Sequence, residues 1–490
     1  MTENKGSIIY QKLQELVDPF LLDIIADAGD TIGQEVRLVG GAVRDLILNG
    51  VVNQDLDFVT LGSGILVAEE VSRKLGRGGK LTVFKAFGTA QVHWKGLDLE
   101  FVGARKESYR SDSRKPIVEE ASFEEDEARR DFTINALSIA LNGEHRGTLY
   151  DPYNGIADIH NRIIRTPLEP DHTFSDDPLR MMRAVRFASQ LSFRLSDDTA
   201  TSIQNNAHRL APPVVSIERV TSEFLKIMAS PKPSIGLILM HNLGLMQMYL
   251  PEVSALEGAE TREGIGHKNN FVHTMIVVDN VSNNRDNIYL RLAALFHDIG
   301  KPITKRFESG AGWSFYNHDY VGQKMLNKTF QRCKLPLGER KEYVKKLVRL
   351  HMRPAQLADE GVTDSAIRRL LFEAGDDIDD LMTLCECDLT SKNPDKVRKY
   401  LANFAVVREK LKEIEEKDRI RNFQPPVSGD DIMEVFNLTP RRELGLIKEQ
   451  IKEAILDGII PNDRKAALKY MYHIVEEQYP DFVVVKRIEE

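Results

Sequence analysis

The chain has 490 residues, with 66 Lys and Arg against 74 Asp and Glu and a formal net charge of −8. Its 42% hydrophobic and 29% charged composition excludes a disordered chain, its length allows about three domains, and no apolar run reaches the ~20 residues that cross a bilayer. Cys333, Cys385 and Cys387 are too few for a disulfide framework and fit a reducing cytosol; the N-terminus lacks a secretory pattern, and the acidic excess counts against nucleic acid.

Ile8, Leu13, Leu16, Val17, Phe20 and Leu21 recur at helical spacing, so residues 8–30 read as one helix. Val36–Val39 is a short apolar strand, broken by Gly40-Gly41 into a helix over 42–48 that Asn49-Gly50 ends. Residues 56–60 read as the next strand, 66–75 as a helix, and 81–102 as a meander with turns at Gly88 and Lys95-Gly96. The polar stretch 103–127 has little periodicity and reads as a mobile loop. After about Asp171 everything reads as helical, punctuated by prolines, with 408–421 a charged helix or linker.

Two features of the first 150 residues carry chemistry. Glycines between a strand and a helix let backbone N–H groups approach a phosphate, and Arg44 in the first turn can add a charge-assisted contact to a triphosphate. Asp55-Leu56-Asp57 opens the next strand, where alternation puts both carboxylates on one face. Paired hard oxygen ligands suit Mg²⁺ shared with substrate phosphates. Gly-Gly, thirteen residues, then Asp-Leu-Asp resembles the polymerase-β-type nucleotidyltransferases. A third carboxylate is common in that family; Asp98 and Glu100 are both candidates, and Glu100 is preferred.

Further segments follow: Arg129 to Leu137 (RRDFTINAL), Asp151 to Gly155 (DPYNG), Asp176 to Phe187 (DDPLRMMRAVRF) and Glu218 to Glu223 (ERVTSE). In this order they resemble the motif series of class II tRNA nucleotidyltransferases (CCA-adding enzymes) and the related bacterial poly(A) polymerases, over nearly the whole chain. Asp177 before Pro178 projects from a helix start. Its carboxylate can accept from the exocyclic amine of cytosine or adenine, while Arg180 donates to the neighbouring ring nitrogen. Uracil and guanine present a carbonyl to Asp177 instead. Arg183 and Arg186 are assigned to phosphate or to holding this template, and by resemblance Arg130 contacts the nucleotide. The family's usual Glu-Asp-x-x-Arg is Asp176-Asp177-Pro178-Leu179-Arg180 here, which leaves nucleotide preference less defined than reaction type.

Residues 265–395 hold His273, His297-Asp298, His318, His351 and Asp388. Imidazole and carboxylate ligands suit Ni²⁺, Mn²⁺, Co²⁺, Fe²⁺ or Zn²⁺. The set resembles the HD-domain phosphohydrolases, which implies His273, His297, Asp298 and Asp388 as ligands and His318 and His351 as outer contacts. Arg340, Lys341, Lys345, Lys346, Arg349 and Arg353 form a basic stripe, either an RNA track or a solvated helix face.

The expected architecture is an α/β polymerase-β-like nucleotidyltransferase head (36–150) after an N-terminal helical extension (1–35). An all-α neck (151–255), an HD-type body (256–400) and a helical tail (401–490) follow. The expected activity is addition of the tRNA 3′-terminal CCA from CTP and ATP in the cytoplasm, with no membrane partner and an oligomeric state the sequence does not set. The alternatives are a poly(A) polymerase, a CC- or A-only enzyme, and an HD phosphohydrolase with an inactive head.

Overall fold

The computed structural model describes residues 2–108, 117–360, 363–391 and 393–488, which fall into two compact units, Met1–Tyr249 and Leu250–Glu490. The helix expected over 8–30 is two helices, α1 (Thr2–Leu16) and α2 (Pro19–Ile32). Asp18 accepts the Phe20 N–H and Pro19 takes the first helical position, so a new helix starts where the apolar spacing ran on.

Strand β1 (Val36–Val39) leads through Gly40 into α3 (Gly41–Asn49), which Gly50 ends in a left-handed cap. Then come β2 (Asp55–Thr60), α4 (Gly64–Leu75), β3 (Lys80–Phe84), β4 (Thr89–Trp94) and β5 (Leu97–Gly103). The mobile loop expected over 103–127 is corrected. Strands β6 (Arg105–Ser108) and β7 (Ile117–Glu120) pair antiparallel, and α5 (Phe123–Ala128) starts at a capping box between Ser122 and Glu125. Residues 109–116 lie outside the described part. With β8 (Ser138–Ala140) and β9 (Leu149–Tyr150), the main sheet runs β3-β4-β5-β2-β1-β8-β9.

Only β2 and β5 run parallel in this sheet, the other neighbours pairing antiparallel. Their register sets Asp55 beside Asp98 and Asp57 beside Glu100. Leu56 and Phe58 alternate to the opposite, buried face, where Phe58 stacks on Phe101 with centroids 4.8 Å apart. That apolar layer holds the strand pair in register, and so holds the carboxylates together.

Helices α6 (Gly155–Asn161), α7 (Pro170–Asp176) and α8 (Leu179–Leu191) follow. The region after Asp171 is mostly helical, interrupted by short two-stranded ribbons such as Arg306–Glu308 with Gly312–Ser314.

In the second unit, Asn270–Asn284, Ile288–Phe296, His318–Arg332, Glu339–Leu350 and Ile378–Cys387 pack on one another as a helical body. The charged stretch 408–421 is mostly the end of a 25-residue helix, Pro394–Asp418. That helix buries Phe404, Val407, Leu411 and Ile414, so its apolar stripe packs as one face.

Candidate active site and metal centre

The head holds a cavity of about 500 Å³ lined by Gly40, Gly41, Arg44, Asp57, Arg130, Asp177, Arg180 and Arg183, with Asn135, Phe187 and Arg219 among the other walls. Gly40 caps α3 at φ 73° and ψ −131°, a backbone shape open to glycine, and a Cβ there would stand 3.3 Å from Arg130 Nη1. Asp57 is accessible, yet the surrounding walls strip enough water to raise its carboxyl above the usual range. Arg130 opposes that shift and Asp55 adds to it.

The arginines are held in place. Arg130 donates from Nε and Nη2 to the buried Asp126 at 3.2 and 3.0 Å. Burial pushes the Asp126 carboxyl up, but Arg130 and Arg129 outweigh it and hold it low. Arg44 is buried, donating to Asp45 Oδ1 and Asn135 Oδ1 at 2.8 Å each. Arg183 pairs with the buried Asp131 at 2.5 Å, and Asp131 also accepts from Asn135. Asp177 Oδ1 takes the Leu179 N–H at 3.1 Å, and Oδ2 takes Arg219 Nη2 at 2.7 Å. Arg180 donates to the Arg129 and Thr173 carbonyls at 2.7 and 3.4 Å.

The second unit gathers six residues into two sets whose ligand atoms lie within 4.8 Å of one another: His273, His297 and Asp388, then Asp298, His318 and His351. His273 Nε2 stands 2.8 Å from Asp388 Oδ1 and 3.3 Å from His297 Nε2. Asp298 faces both sets, Oδ2 lying 3.2 Å from His297 Nε2 and Oδ1 lying 3.4 Å from His318 Nε2. His297, His318 and His351 each place Nδ1 within 2.8 Å of the backbone carbonyl three residues earlier, which turns Nε2 to the ligand side. Burial lowers the His297 imidazole, but Asp298 and Asp388 outweigh it and hold it up at about 9. His351 is pushed down to about 4 by burial and the neighbouring His297, and burial also lowers His318.

Three family models match the chain: "Poly A polymerase head domain" over 36–165, "Probable RNA and SrmB- binding site of polymerase A" over 192–256, and "HD domain" over 263–392. A multifunctional CCA protein of Vibrio vulnificus is 30% identical over 366 residues, 72% of this chain and 84% of that protein. A CC-adding tRNA nucleotidyltransferase of Thermus thermophilus is 31% identical over 451 residues, 89% and 92% of the two chains. The chain belongs to the tRNA nucleotidyltransferase family. The solved Bacillus stearothermophilus CCA-adding enzyme in complex with CTP has the same fold, with a TM-score of 0.63 at 24% identity over 95% of this chain and 100% of that one.

Of the head residues expected for a tRNA nucleotidyltransferase, Gly40, Gly41, Arg44, Asp57, Arg130, Asp177, Arg180 and Arg183 line this cavity, while Asp55, Glu100 and Arg186 lie off its lining. Arg186, expected to contact phosphate or to hold the template, is buried and paired with Glu223 at 3.1 Å. Asp177 precedes α8 as expected, with Pro178 in the cap position between them. Arg219, Asn135, Asp131 and Phe187 also line the cavity, and no motif in the sequence assigns them a role there. Arg219 stood in a noted motif, but its partner lies 42 positions away.

His318 and His351, expected as outer contacts, are buried too and form a set of their own with Asp298. Among the described residues, no helix is long and apolar enough to cross a membrane.

Proposed function

We propose that this tRNA nucleotidyltransferase completes or repairs the 3′-terminal CCA of tRNA from CTP and ATP in the cytoplasm. The observation that carries the reading is a single cavity bounded by a catalytic-type carboxylate, Asp57, and by the base-reading pair Asp177 and Arg180.

Asp55, Asp57 and Glu100 share one strand-pair face and offer hard oxygen donors that fit Mg²⁺. Bound there, Mg²⁺ supplies charge neutralisation for the triphosphate and acidifies an attacking 3′-hydroxyl. The protein's own residues do the rest. The Gly40-Gly41 backbone and Arg130 hold the triphosphate, while Arg44 and Arg183 brace the walls around it. Asp177 accepts an amine hydrogen from cytosine or adenine, and Arg180 donates to the adjacent ring nitrogen. The 3′-oxygen bonds to the α-phosphorus as pyrophosphate leaves.

The test offers tRNA transcripts ending before C74, C75 or A76 (tRNA positions) each labelled nucleotide in turn. CMP then AMP incorporation ending after three residues is expected, and Asp55→Ala abolishes it. A long A tail, or addition of C alone or A alone, overturns the CCA assignment in favour of the corresponding relative.

The second unit supports a further reading, metal-dependent phosphohydrolysis. Its buried and half-buried His and Asp donors suit Mn²⁺, Fe²⁺, Co²⁺, Ni²⁺ or Zn²⁺, and the division into head, neck, HD body and tail follows from the same motifs.

A further inference from the structure

We propose that Arg37 is a positioning residue for nucleotide binding: it clamps α5 from behind the site, and α5 sets the angle at which Arg130 meets the triphosphate. This role rests on the reading above, in which Arg130 holds the triphosphate. Arg37 itself lies off the cavity lining, so it acts only through other residues.

Arg37 is the one charged residue of β1, set among the buried Val36, Leu38 and Val39, and is itself 5% exposed. A charge so placed is costly unless it is met. Its Nε donates to Glu35 Oε1 at 2.8 Å, and its Nη1 lies 3.6 Å from Glu127 Oε1. Two rings flank it, Cζ standing 3.8 Å from the Phe123 centroid and 3.7 Å from that of Tyr150. A guanidinium is attracted to an aromatic face, and it can stack through its plane while pairing at its edge, which a lysine cannot.

Phe123 and Glu127 stand four positions apart, on one side of α5, and both meet Arg37. Phe123 also packs with Val39, Val59 and Ala104, and Glu127 accepts the Ser138 hydroxyl at 2.6 Å. Six residues are too few to hold a helix alone, and in α5 only Phe123, Asp126 and Glu127 are buried. Two of these three engage Arg37. The third, Asp126, takes the arginines: Oδ1 accepts from Arg129 Nη2 at 2.6 Å, and Oδ2 accepts from Arg130 Nε and Nη2 at 3.2 and 3.0 Å.

A carboxylate that accepts two N–H groups from one guanidinium fixes its plane as well as its place. Arg130 keeps Nη1 toward the Gly40 turn, 3.3 Å from where a Cβ on that glycine would lie. Arg37 ties α5 to β1 and to β9, the edge strand of the main sheet, at one point. A shift of α5 would carry Asp126 with it and turn the Arg130 fork away from the triphosphate. Such shifts matter when small, because a binding constellation must be held within about 0.5 Å.

The test is steady-state incorporation by the full chain, with CTP and UTP offered to a transcript ending before C74 and ATP to one ending before A76 (tRNA positions). Arg37→Met keeps the length and loses the charge and the plane. It is expected to raise the KM for CTP and ATP alike about tenfold, with kcat and the KM for tRNA within about twofold and the choice of CTP over UTP unchanged. A general loss of stability would lower kcat without that selectivity. Arg37→Lys restores the charge but not the stack and is expected to fall between. In an Arg130→Lys background, Arg37→Met is expected to add nothing, because the two act in one chain. An unchanged nucleotide KM in Arg37→Met, or full multiplication of the two effects in the double variant, overturns the role of Arg37 and leaves that of Arg130 standing. An unchanged nucleotide KM in Arg130→Lys alone overturns the triphosphate reading itself, and the proposal with it. Should Arg37→Met fail to fold, Phe123→Leu removes one ring and keeps the core filled; it is expected to raise the same KM about threefold, and no change there overturns the clamp.

Discussion

Asp177 commits both of its oxygens inside the protein before any base arrives, one to the Leu179 N–H and the other to Arg219. A carboxylate fixed at both oxygens still has lone pairs for an incoming amine, and it meets that amine at one angle. Arg219→Gln removes the charged tether and is expected to lower discrimination of CTP over UTP about tenfold, the worth of one charge-assisted hydrogen bond of ~1.5 kcal/mol. Single-nucleotide incorporation at a tRNA lacking its last two residues measures it, and unchanged discrimination would show that Leu179 alone positions the carboxylate. The sequence pointed to Asp177 because an acid before Pro178 announces a helix start locally. It could not assign Arg219, whose role depends on a fold contact between distant segments. The arginine stripe of α8 shows the same limit. Spacing identified a basic face, but only the tertiary partners Asp131 and Glu223 separate Arg183 at the cavity from Arg186 behind it.

Strands and turns were the most legible elements, because alternation and Gly signals are short-range. The register of β2 on β5 was not legible, and it decides that Glu100, not Asp98, stands beside Asp57. Asp98 instead faces His93, 2.9 Å away. The stretch 103–127 was misread because a ribbon draws its order from cross-strand pairing, and Arg105 opposite Glu120 and Lys106 opposite Glu119 bear no single-strand period. At the β1–α3 junction, Gly40→Ala is expected to cost about 1–3 kcal/mol for its backbone shape and to raise the KM for CTP, as the new Cβ presses on Arg130; thermal melting and steady-state kinetics check both. In the tail helix Gly429–Phe436, Arg464 first, then the Ser428 backbone and hydroxyl, holds the Asp431 carboxyl down at about 2. A carboxyl depressed from 3.8 stabilises the fold above that value and loses its contribution as pH falls toward about 2. The Tm difference between wild type and Arg464→Gln should therefore be full at about pH 5 and vanish near pH 2.

At the scale of the whole molecule, net charge proved a poor guide to partners: an acidic chain belongs to a family of tRNA enzymes. The basic stripe of 340–353 is also less free than its composition suggests. Lys345 pairs with Glu342 at 2.8 Å and Lys346 with Asp377 at 2.6 Å, while Arg349 binds Asp319. Charges neutralised within the fold release few counterions on binding RNA. Combined Lys341→Gln and Lys345→Gln is thus expected to leave tRNA affinity within about twofold and the salt slope changed by less than about one unit. Filter binding across a salt series measures it, and a steeper loss would restore the stripe as an RNA track.

The carbonyl three residues before His297, His318 and His351 does more than satisfy a ring nitrogen. It selects each histidine's tautomer from within its own turn of chain, so the choice is made as soon as that turn forms. Long-range folding then has only to bring the prepared rings together. Such a centre tolerates drift in the surrounding packing while remaining intolerant of any change to those three short turns, and it is there that descendants of this sequence would be expected to vary least.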